Sequence, residues 1–309
     1  MVSRAESTAV VVLSWNGRED TLACLASLAR LEAPAPVTIV VDNGSTDGTS
    51  AAVREAFPAV ELVRTERNLG FAEGNNVGMR HALALGAGYV LVLNNDVEVD
   101  PACVRALVEE AGRRPDAGAL CSKILYADPP DLIWFAGASF DPRSGYNGRQ
   151  RGYREHDDGR FDEVVETDRA CGAAMLVPRG VLERIGVFDP ELFFYSEDTD
   201  WSLRARAAGY RHYVVPASRL WHKVSVTSGG ENSPTSLYYG VRNTIAVCER
   251  WAPLSRLGTW RRRSVLLGAH LVQATLSNRK REGLAAVTQG FRDVLAGRFG
   301  QRRTPKMSG

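Results

Sequence analysis

Carboxylates follow two of the apolar runs in this sequence. Asp42 comes directly after Val37–Val41, and Asp96 comes shortly after Tyr89–Leu93. Ligands of open α/β sheets bind beyond the carboxyl ends of the strands, and carboxylates are preferred ligands of hard divalent cations. Asp96 is therefore a candidate to hold Mn²⁺ or Mg²⁺ against the phosphates of a nucleotide. Asp42 is a candidate to accept a hydrogen bond from the base or the ribose.

Three more ionisable residues lie late in the chain. Glu197 and Asp198 stand near the start of a predicted helix, and His222 follows a predicted strand. Together with Asp42 and Asp96 they form a set that a metal-bound nucleoside diphosphate would need. Structural alternatives remain open, because Asp42 could cap its loop, Asp198 could stabilise a helix N-terminus and His222 could be a hydrogen-bonded structural histidine.

The elements that would position these residues alternate between strands and helices. Apolar runs without polar alternation are typical of strands covered on both faces. Strands alternating with helices favour a mainly parallel sheet with right-handed crossovers. Asn94–Asp96 could also be only a turn before the next helix. The predicted order is strand Ala9–Ser14, helix Thr21–Leu31, strand Val37–Val41, a helix to Phe57, strand Val60–Val63, a helix to Leu85, strand Tyr89–Leu93 and helix Pro101–Arg113.

The later part of the chain is less regular. Residues 127–165 are rich in Gly, Asp, Pro and Arg and are expected to form loops with a small hairpin. Beyond residue 235 the apolar residues recur at helical spacing. We therefore expect one large α/β domain over residues 1–235 and a helical extension over residues 236–309. The other predicted elements are strands Gly118–Tyr126, Ala170–Pro178 and Tyr210–Val215, and helices Val181–Ile185, Asp200–Ala208, Leu237–Trp251, Ser264–Leu276 and Leu284–Phe299.

The charge of the chain is distributed unevenly. Residues 235–309 carry 14 Lys/Arg and 3 Asp/Glu, a net charge of +11, whereas the whole chain has a net charge of +2. A tail of this kind could bind nucleic acid, an anionic membrane surface or an acidic partner, and the composition does not distinguish among them. Its helical spacing makes peripheral attachment to a membrane one hypothesis, and packing on the main domain is the alternative.

The cysteines and the apolar runs indicate the cellular compartment in which the protein works. The five cysteines contain no Cys-x-x-Cys pair, which favours a reduced, cytoplasmic protein without a zinc site. Residues 1–8 lack the apolar core of a signal peptide, and no apolar run reaches the ~18 residues that a membrane span needs. We expect a cytoplasmic protein, with attachment to the cytoplasmic membrane face as a further hypothesis.

Six short motifs occur in one order between residues 9 and 243. They are Ser14-Trp15-Asn16-Gly17, the run Val41–Gly48, the run Asn68–Asn76, Leu93-Asn94-Asn95-Asp96, Glu197-Asp198-x-Asp200 and Tyr238-Tyr239-x-x-Arg242-Asn243. Each motif is weak alone, but their common order is specific. In these motifs the sequence is similar to family 2 glycosyltransferases of the GT-A fold, and among them to rhamnosyltransferase-like bacterial members.

The resemblance implies a role for each matching residue. It implies a nucleotide-sugar half over about residues 1–100 and an acceptor half over about 101–235, with Asp42 reading the base. Asp96 would end the Asp-x-Asp metal motif, His222 would complete the metal shell, and Asp198, with Glu197 beside it, would be the catalytic base of an inverting transfer. Asn94 departs from the pattern, because it leaves one carboxylate where the family has two. The residues expected to contact the donor are Ser14, Asn16, Asp42, Asn43, Ser45, Asn68, Gly70, Asn75, Asn94, Asn95 and Arg242.

Some of these contacts have alternatives within the protein. Asn68 and Asn75 could only organise their loop, and Arg242 could anchor the tail instead of reaching the pyrophosphate. Residues 127–165 and 224–236 match no motif of the family. We expect these two segments to determine which sugar and which acceptor the protein uses.

The leading hypothesis for function is transfer of a sugar from a dTDP or UDP donor, with dTDP-rhamnose as the best candidate. The acceptor would be a hydroxyl of a glycan, of a lipid-linked sugar or of a glycosylated small molecule, and no nucleic acid is expected as a partner. A nucleotidyltransferase is a weaker alternative, because it would need a glycine-rich phosphate loop with Lys or Arg directly after the first strand. A nucleotide-sugar or glycan-binding module without catalysis is the alternative outside enzymes. Nothing in the sequence predicts the oligomeric state.

Overall fold

The structure is a computed structural model that describes residues 7–32, 34–145, 150–224 and 232–303. Its strands are β1 Thr8–Ser14, β2 Val37–Asp42, β3 Glu61–Arg64, β4 Tyr89–Asn94, β5 Val97–Val99, β6 Ala117–Tyr126, β7 Ile133–Phe135, β8 Val165–Thr167, β9 Ala174–Pro178 and β10 Arg211–His222. Its helices are α1 Arg18–Leu28, α2 Thr49–Ala56, α3 Gly70–Ala84, α4 Cys103–Arg113, α5 Arg179–Ile185, α6 Glu197–Ala207, α7 Pro234–Trp251, α8 Arg256–Thr275 and α9 Lys280–Leu295. Parts of the predicted specificity segments, 146–149 and 225–231, lie outside the described residues.

The described strands form one sheet in the order β3-β2-β1-β4-β9-β6-β10-β5, with β7 beside β6 and β8 beside β10. The strands β3, β2, β1 and β4 are parallel neighbours, as the strand and helix alternation predicts. In the second half the sheet is mixed, because β9 runs antiparallel to both β4 and β6. Most apolar residues of β1, β2 and β4 are buried in one core cluster, which agrees with strands covered on both faces.

The strand β10 is longer than the sequence predicts. The predicted strand ends at Val215, whereas β10 continues to His222 through a register shift between Val215 and Arg219. Pro216 lies inside this irregularity. Because proline has no N–H to donate, bulges are among the few places where a strand accepts it. The continuation carries His222 to the edge of the sheet where the motif residues gather.

The short strand β5 is not predicted by the sequence. The pattern there favours a turn between Asp96 and the helix near Pro101, but Val97–Val99 pairs antiparallel with the last residues of β10. In this pairing Val97 lies opposite His222. Three residues are too few for a periodicity to be visible, and their partner strand lies far away in the sequence.

The C-terminal extension is helical, as predicted, but its elements begin earlier. Ser233 caps α7 by accepting a hydrogen bond from the N–H of Ser236 at 3.1 Å, with Pro234 in the first turn. The predicted helix Ser264–Leu276 begins eight residues earlier as α8, at Arg256 after its cap Ser255, and therefore includes Arg261–Arg263. Helices α7, α8 and α9 bury a second apolar cluster between them.

The helix α7 is also joined to the α/β domain. Asp200 of α6 is fully buried and accepts hydrogen bonds from Arg250 and from the indole N–H of Trp251, both at 2.9 Å. All five cysteines are buried free thiols. Within the four described ranges, no helix is both long and apolar enough to cross a membrane.

Candidate active site

Asp96 and His222 meet at the carboxyl end of the sheet. The Oδ1 atom of Asp96 lies 3.0 Å from Nε2 of His222, and both side chains are buried. The pairing of Val97 with His222 creates this contact, and the N–H of Lys223 donates to the carbonyl oxygen of Asp96 at 3.0 Å. The amide of Asn94 completes the group, with its Nδ2 atom 3.3 Å from Nε2 of His222.

These three residues fit a divalent cation. The Oδ1 atom of Asn94 is buried without a hydrogen-bond partner among the described residues, and Nε2 is the ring nitrogen of His222 that faces Asp96 and Asn94. A carboxylate, an imidazole and an amide oxygen are all accepted ligands of Mn²⁺, and the first and last suit Mg²⁺. The described residues contain no cluster of three or more His, Cys, Asp or Glu that could hold a metal. Waters and phosphate oxygens would therefore have to supply most of the coordination shell.

Asp198 lies close to the same strand end. Its Oδ2 atom accepts a hydrogen bond from the N–H of Gly172 at 3.1 Å. The next carbonyl, that of Ala173, accepts from the N–H of Asn94 at 3.1 Å. Two backbone contacts thus connect the predicted base to the strand that carries the metal motif. Asp198 is only half-buried, so its carboxylate is accessible from solvent, and Oδ1 also accepts from the N–H of Thr199 at 2.6 Å.

Glu197, the neighbour of Asp198, has a pKa that its surroundings raise. Its side chain is buried, and Oε2 has no hydrogen-bond partner in the part of the chain that the structure describes. Burial raises the pKa of the Glu197 carboxyl well above its usual value, and the negative charge of Asp198 raises it further. Of the two neighbouring carboxyl groups, Asp198 is the one that is partly exposed, whereas Glu197 is buried.

The segment before α6 has an unusual backbone. Phe193, Tyr195 and Ser196 all have positive φ angles, of 63°, 68° and 67°. Residues other than glycine rarely adopt a positive φ angle, and this conformation persists only where the surrounding structure enforces it. We call residues 193–196 the left-handed segment. It leads directly into Glu197 and Asp198.

Asn243 of α7 holds the left-handed segment. Its Nδ2 atom lies 2.8 Å from the carbonyl oxygen of Leu192, 2.8 Å from that of Phe194 and 2.7 Å from that of Tyr195. Asn243 itself is fully buried. The Tyr-Tyr-x-x-Arg-Asn motif, found from sequence, thus supports the loop that presents Asp198.

Arg242 makes the contacts of the alternative interpretation, in which it anchors the tail. Its guanidinium is fully buried and donates to the carbonyl oxygens of Gly300 at 2.7 Å and Leu192 at 2.9 Å. Its Nε–H donates to Oδ1 of Asn243 at 2.8 Å. The side chain therefore anchors the C-terminal residues and the left-handed segment, and its contact with a pyrophosphate stays a prediction. The sequence could not separate the two roles because both use the same five N–H donors.

The loops after β1 and β2 bind each other. The Oδ1 atom of Asp42 accepts from the N–H of Ser45 at 2.8 Å, and its other oxygen contacts the hydroxyl of Ser50. Ser45 accepts from the N–H of Asn16 at 2.9 Å, and Asn16 accepts from the N–H of Thr46 at 2.8 Å. Asp42 is fully buried, so the structure shows the loop-capping role. A direct contact of Asp42 with a base stays a prediction, whereas Asn16 is exposed beside it.

The loop before α3 is held in the same manner. Asn43 donates to Oδ1 of Asn68 at 3.2 Å and accepts from the N–H of Leu69 at 2.9 Å. Asn68 accepts from the N–H of Gly70 at 2.8 Å. Gly70 has a φ of 85°, and a Cβ atom there would lie 2.5 Å from the carbonyl oxygen of Phe193. Glycine is required at this position by both its conformation and this close approach.

Three other predicted donor contacts are buried. Ser14 and Thr21 share a hydrogen bond of 2.7 Å, and Asn95 donates to the hydroxyl of Thr21 at 3.0 Å. Asn75 donates to the carbonyl oxygen of Phe71 at 2.9 Å, while its Oδ1 atom is buried without a partner in the described ranges. These residues organise the floor of the site, and their contacts with a donor stay predictions.

Trp134 belongs to the site although the sequence motifs do not include it. Its ring packs edge-on against His222, with 4.7 Å between the ring centroids. Trp134 lies on β7 within the irregular region 127–165. Buried Lys123 of β6 holds that region by ion pairs with Asp157 at 2.7 Å and Asp162 at 2.6 Å. An apolar residue in a loop-rich region carries no sequence signal of such a role, whereas a lysine inside a strand with an otherwise apolar pattern could have indicated a buried ion pair.

Comparison with known proteins decides the family. The profile of the family described as "Glycosyl transferase family 2" matches residues 9–186, more than half of the chain. The chain belongs to glycosyl transferase family 2. The matched range contains β1 to β9 and ends before α6, so it covers the metal motif but not Asp198 or His222.

Two relatives extend the similarity beyond that range. The N-acetylglucosaminyl-diphospho-decaprenol L-rhamnosyltransferase of Mycobacterium tuberculosis is 29% identical to this family 2 glycosyltransferase over 311 residues, covering 90% of this chain and 97% of that protein. The dTDP-rhamnosyl transferase RfbF of Shigella flexneri is 25% identical over 254 residues, covering 78% of this chain and 79% of that protein. These relatives support a rhamnosyltransferase-like member of the family.

A solved structure supports the fold. The mannosyltransferase PcManGT from Pyrobaculum calidifontis, solved in complex with GDP-Man and Mn²⁺, matches with a TM-score of 0.57 at 16% identity. The match covers 93% of this chain and 86% of that one. The GT-A fold that the sequence motifs imply is therefore confirmed, and at this identity the match carries no conclusion about substrate.

Proposed function

We propose that this glycosyltransferase moves rhamnose from dTDP-rhamnose to a hydroxyl group of a lipid-linked sugar, with inversion at the anomeric carbon. Two relatives support rhamnose as the sugar, because both are named for its transfer. The name of the Shigella flexneri relative supports dTDP as the nucleotide, and that of the Mycobacterium tuberculosis relative supports a lipid-linked acceptor.

The observation that carries the proposal is the connection of Asp198 to the strand end that carries Asp96. Asp198 contacts Gly172, and the adjacent Ala173 contacts Asn94, so Asp198 lies near the strand end that leads to Asp96. We infer that the donor sugar binds between the two carboxylates, since inversion needs a base across the sugar from the departing diphosphate.

On the donor side, Asp96, His222 and the amide oxygen of Asn94 would hold Mn²⁺ or Mg²⁺. When bound, the cation supplies positive charge that stabilises the departing diphosphate. Asp96 neutralises part of the charge of the cation, and the imidazole of His222 is oriented by the edge of Trp134. The exposed amide of Asn16 and the loop around Ser45 lie at the end of β1 and β2, where the nucleotide would bind.

On the acceptor side, Asp198 would accept the proton of the attacking hydroxyl. The acceptor oxygen forms a bond to the anomeric carbon, the bond from that carbon to the phosphate oxygen breaks, and the electron pair leaves with the diphosphate. Asp198 is the partly exposed carboxyl group of the two, whereas Glu197 is buried beside it, so we assign the role of base to Asp198. The N–H groups of Gly172 and Thr199 hold its carboxylate in place for this step.

A transfer assay tests the proposal. The purified protein is given dTDP-rhamnose, UDP-glucose or GDP-mannose with a GlcNAc-diphospho-polyprenol acceptor, and product mass and nucleotide release are measured. We expect a deoxyhexose to be added only with dTDP-rhamnose, and we expect divalent metal to stimulate the reaction. Donor binding without acceptor-dependent turnover would instead favour a binding module, and transfer from another donor would exclude the proposed sugar.

A further inference from the structure

An apolar stripe runs along the exposed side of α8. It consists of Leu257, Trp260, Val265, Val272 and the C-cap residue Leu276, which are between 52 and 81% exposed. Eleven large apolar side chains are exposed within the described ranges, and these five are all on this one element. We call these five residues the α8 stripe. Soluble monomers rarely expose contiguous apolar surface without a function, so the α8 stripe indicates a surface for interaction.

Contacts on the opposite side of α8 determine which way the α8 stripe faces. The buried guanidinium of Arg262 donates to the carbonyl oxygens of Ala252 at 2.8 Å and Pro142 at 3.0 Å. Leu266 and Ala274 are buried in the cluster that α8 shares with α7 and α9. Rotation of the helix would bury the stripe only by breaking these contacts. The stripe therefore faces away from the protein.

The surroundings of the stripe are strongly cationic. Residues 253–303 contain eleven Lys/Arg and two Asp/Glu. Arg256 and Arg261 lie on α8, and Lys280 and Arg281 begin the next helix; all four are exposed. None of the four has a carboxylate within 4.0 Å in the part of the chain that the structure describes. Apolar side chains beside unpaired cations are complementary to a surface with anionic groups on the outside and an apolar layer beneath them.

We propose that α8 binds an anionic lipid bilayer, with the α8 stripe in the boundary between headgroups and acyl chains. Helices with an apolar face and cations beside it bind membranes in this orientation. Arg261 lies within the stripe, where its aliphatic stem can pack among acyl chains while its guanidinium reaches a lipid phosphate. The helix lies on the bilayer and does not cross it.

A second copy of the chain is a poorer occupant of the same surface. Self-association through α8 would bring two cationic surfaces together, and like charges at an interface oppose binding. The rest of the molecule has the opposite charge, since residues 1–234 carry 24 Lys/Arg and 33 Asp/Glu. An anionic bilayer would therefore attract α8 and repel the catalytic domain, which favours one orientation on the membrane.

Vesicle flotation of the full chain tests the inference, and it needs neither donor nor acceptor, so its result is independent of the proposed reaction. We expect binding to vesicles of phosphatidylcholine with phosphatidylglycerol, little binding to phosphatidylcholine alone, and weakening with salt. Replacement of both Leu257 and Val272 by Ser should weaken binding by roughly tenfold or more, because two buried apolar side chains are lost. Arg261→Gln should weaken binding to anionic vesicles by roughly fivefold, the effect of one surface cation.

Matched measurements separate lipid insertion from other effects. Leu85→Ser removes an exposed apolar side chain at the end of α3, and it should leave flotation unchanged. Brominated lipid should quench part of the tryptophan emission of the wild-type protein, and Trp260→Phe should remove that part. Flotation of the Leu257→Ser/Val272→Ser variant at the wild-type level would overturn the proposal. So would a wild-type dimer that this variant dissociates without any lipid binding, because a second copy would then cover the stripe.

Discussion

The Nε2 atom of His222 lies 3.0 Å from Oδ1 of Asp96, although 126 residues separate them in the chain. The contact depends on two features of the sheet, the length of β10 and its antiparallel pairing with β5. The bulge around Pro216 lets β10 continue to the end where β4 delivers Asn94 and Asp96. The last strand of the sheet thus brings His222 to the residues that are proposed to bind the metal, Asn94 and Asp96.

We expect Asp96→Ala to abolish the stimulation of dTDP-rhamnose binding by Mn²⁺ or Mg²⁺. The variant removes the only carboxylate of the proposed metal site, whereas His222→Ala should have a milder effect because water can fill the vacated position. Calorimetric titration with and without metal measures both. Glu98→Gln is the matched control, since Glu98 is an exposed carboxylate two residues away that pairs with Arg30. Metal stimulation that persists in Asp96→Ala would remove Asp96 from the site.

A second prediction concerns Asn243 as a positioning residue. Asn243→Ala removes the side-chain donor of the carbonyl oxygens of Phe194 and Tyr195, which should lower the free energy of unfolding by about 1–3 kcal/mol. The carbonyl oxygen of Leu192 keeps its hydrogen bond from Arg242. Displacement of Asp198 should lower kcat by roughly 10²-fold, the usual effect of a misplaced catalytic group. The KM for the donor should change little.

Steady-state kinetics and urea unfolding measure these two effects. Asn278→Ala provides the control, because Asn278 is exposed between α8 and α9. If Asn243→Ala lost stability but kept the wild-type kcat, Asn243 would support the fold without positioning Asp198.

A third prediction tests the contact between α3 and the left-handed segment. An alanine at Gly70 would adopt a φ of 85° and place its Cβ against the carbonyl of Phe193. The backbone conformation alone costs roughly 1–2 kcal/mol for an L-residue. We expect Gly70→Ala to lower both the melting temperature and the transfer rate. Gly180→Ala is the matched control, because a Cβ atom at Gly180 would have no neighbour within 4 Å and the φ of Gly180 is not positive; equal effects of the two variants would contradict the proposed contact.

The pKa of Glu197 predicts a dependence of stability on pH. Its pKa in the folded protein is raised above the usual value of 4.5 by burial and by Asp198. As pH rises from about 4.5 toward the folded pKa, the unfolded chain releases this proton while the native protein keeps it. The contribution of Glu197 to the free energy of unfolding therefore falls with rising pH. Glu197→Gln should remove this part of the pH dependence.

Urea unfolding of both proteins at several pH values tests this prediction. The wild-type protein should lose stability relative to Glu197→Gln as pH rises above 4.5. Parallel profiles for the two proteins would mean that Glu197 ionises normally in the native state.

The first half of the fold could be predicted from sequence because its signals are local. The apolar runs of β1, β2 and β4 and their polar ends are visible in short windows, so the placement of Asp96 followed from one strand. The pairing of β5 with β10 and the insertion of β9 could not be predicted, because they depend on partners that lie far along the chain. The anchoring contacts of Arg242 could not be predicted for the same reason, since its acceptors are the carbonyl groups of Leu192 and Gly300.

The central claim is that Asp198 is the base of an inverting rhamnosyl transfer. Asp198→Asn keeps the shape of the side chain and removes the base, so the transfer rate should fall by roughly 10²–10⁴-fold with donor binding little changed. Asp116→Asn, an exposed carboxylate at the amino end of β6 and thus at the opposite edge of the sheet, should transfer at the wild-type rate. The decisive measurement combines this rate with the anomeric configuration of the wild-type product by NMR. We predict a slow Asp198→Asn variant and a configuration opposite to that of the donor; a retained configuration, or a near wild-type rate in Asp198→Asn, would contradict the claim.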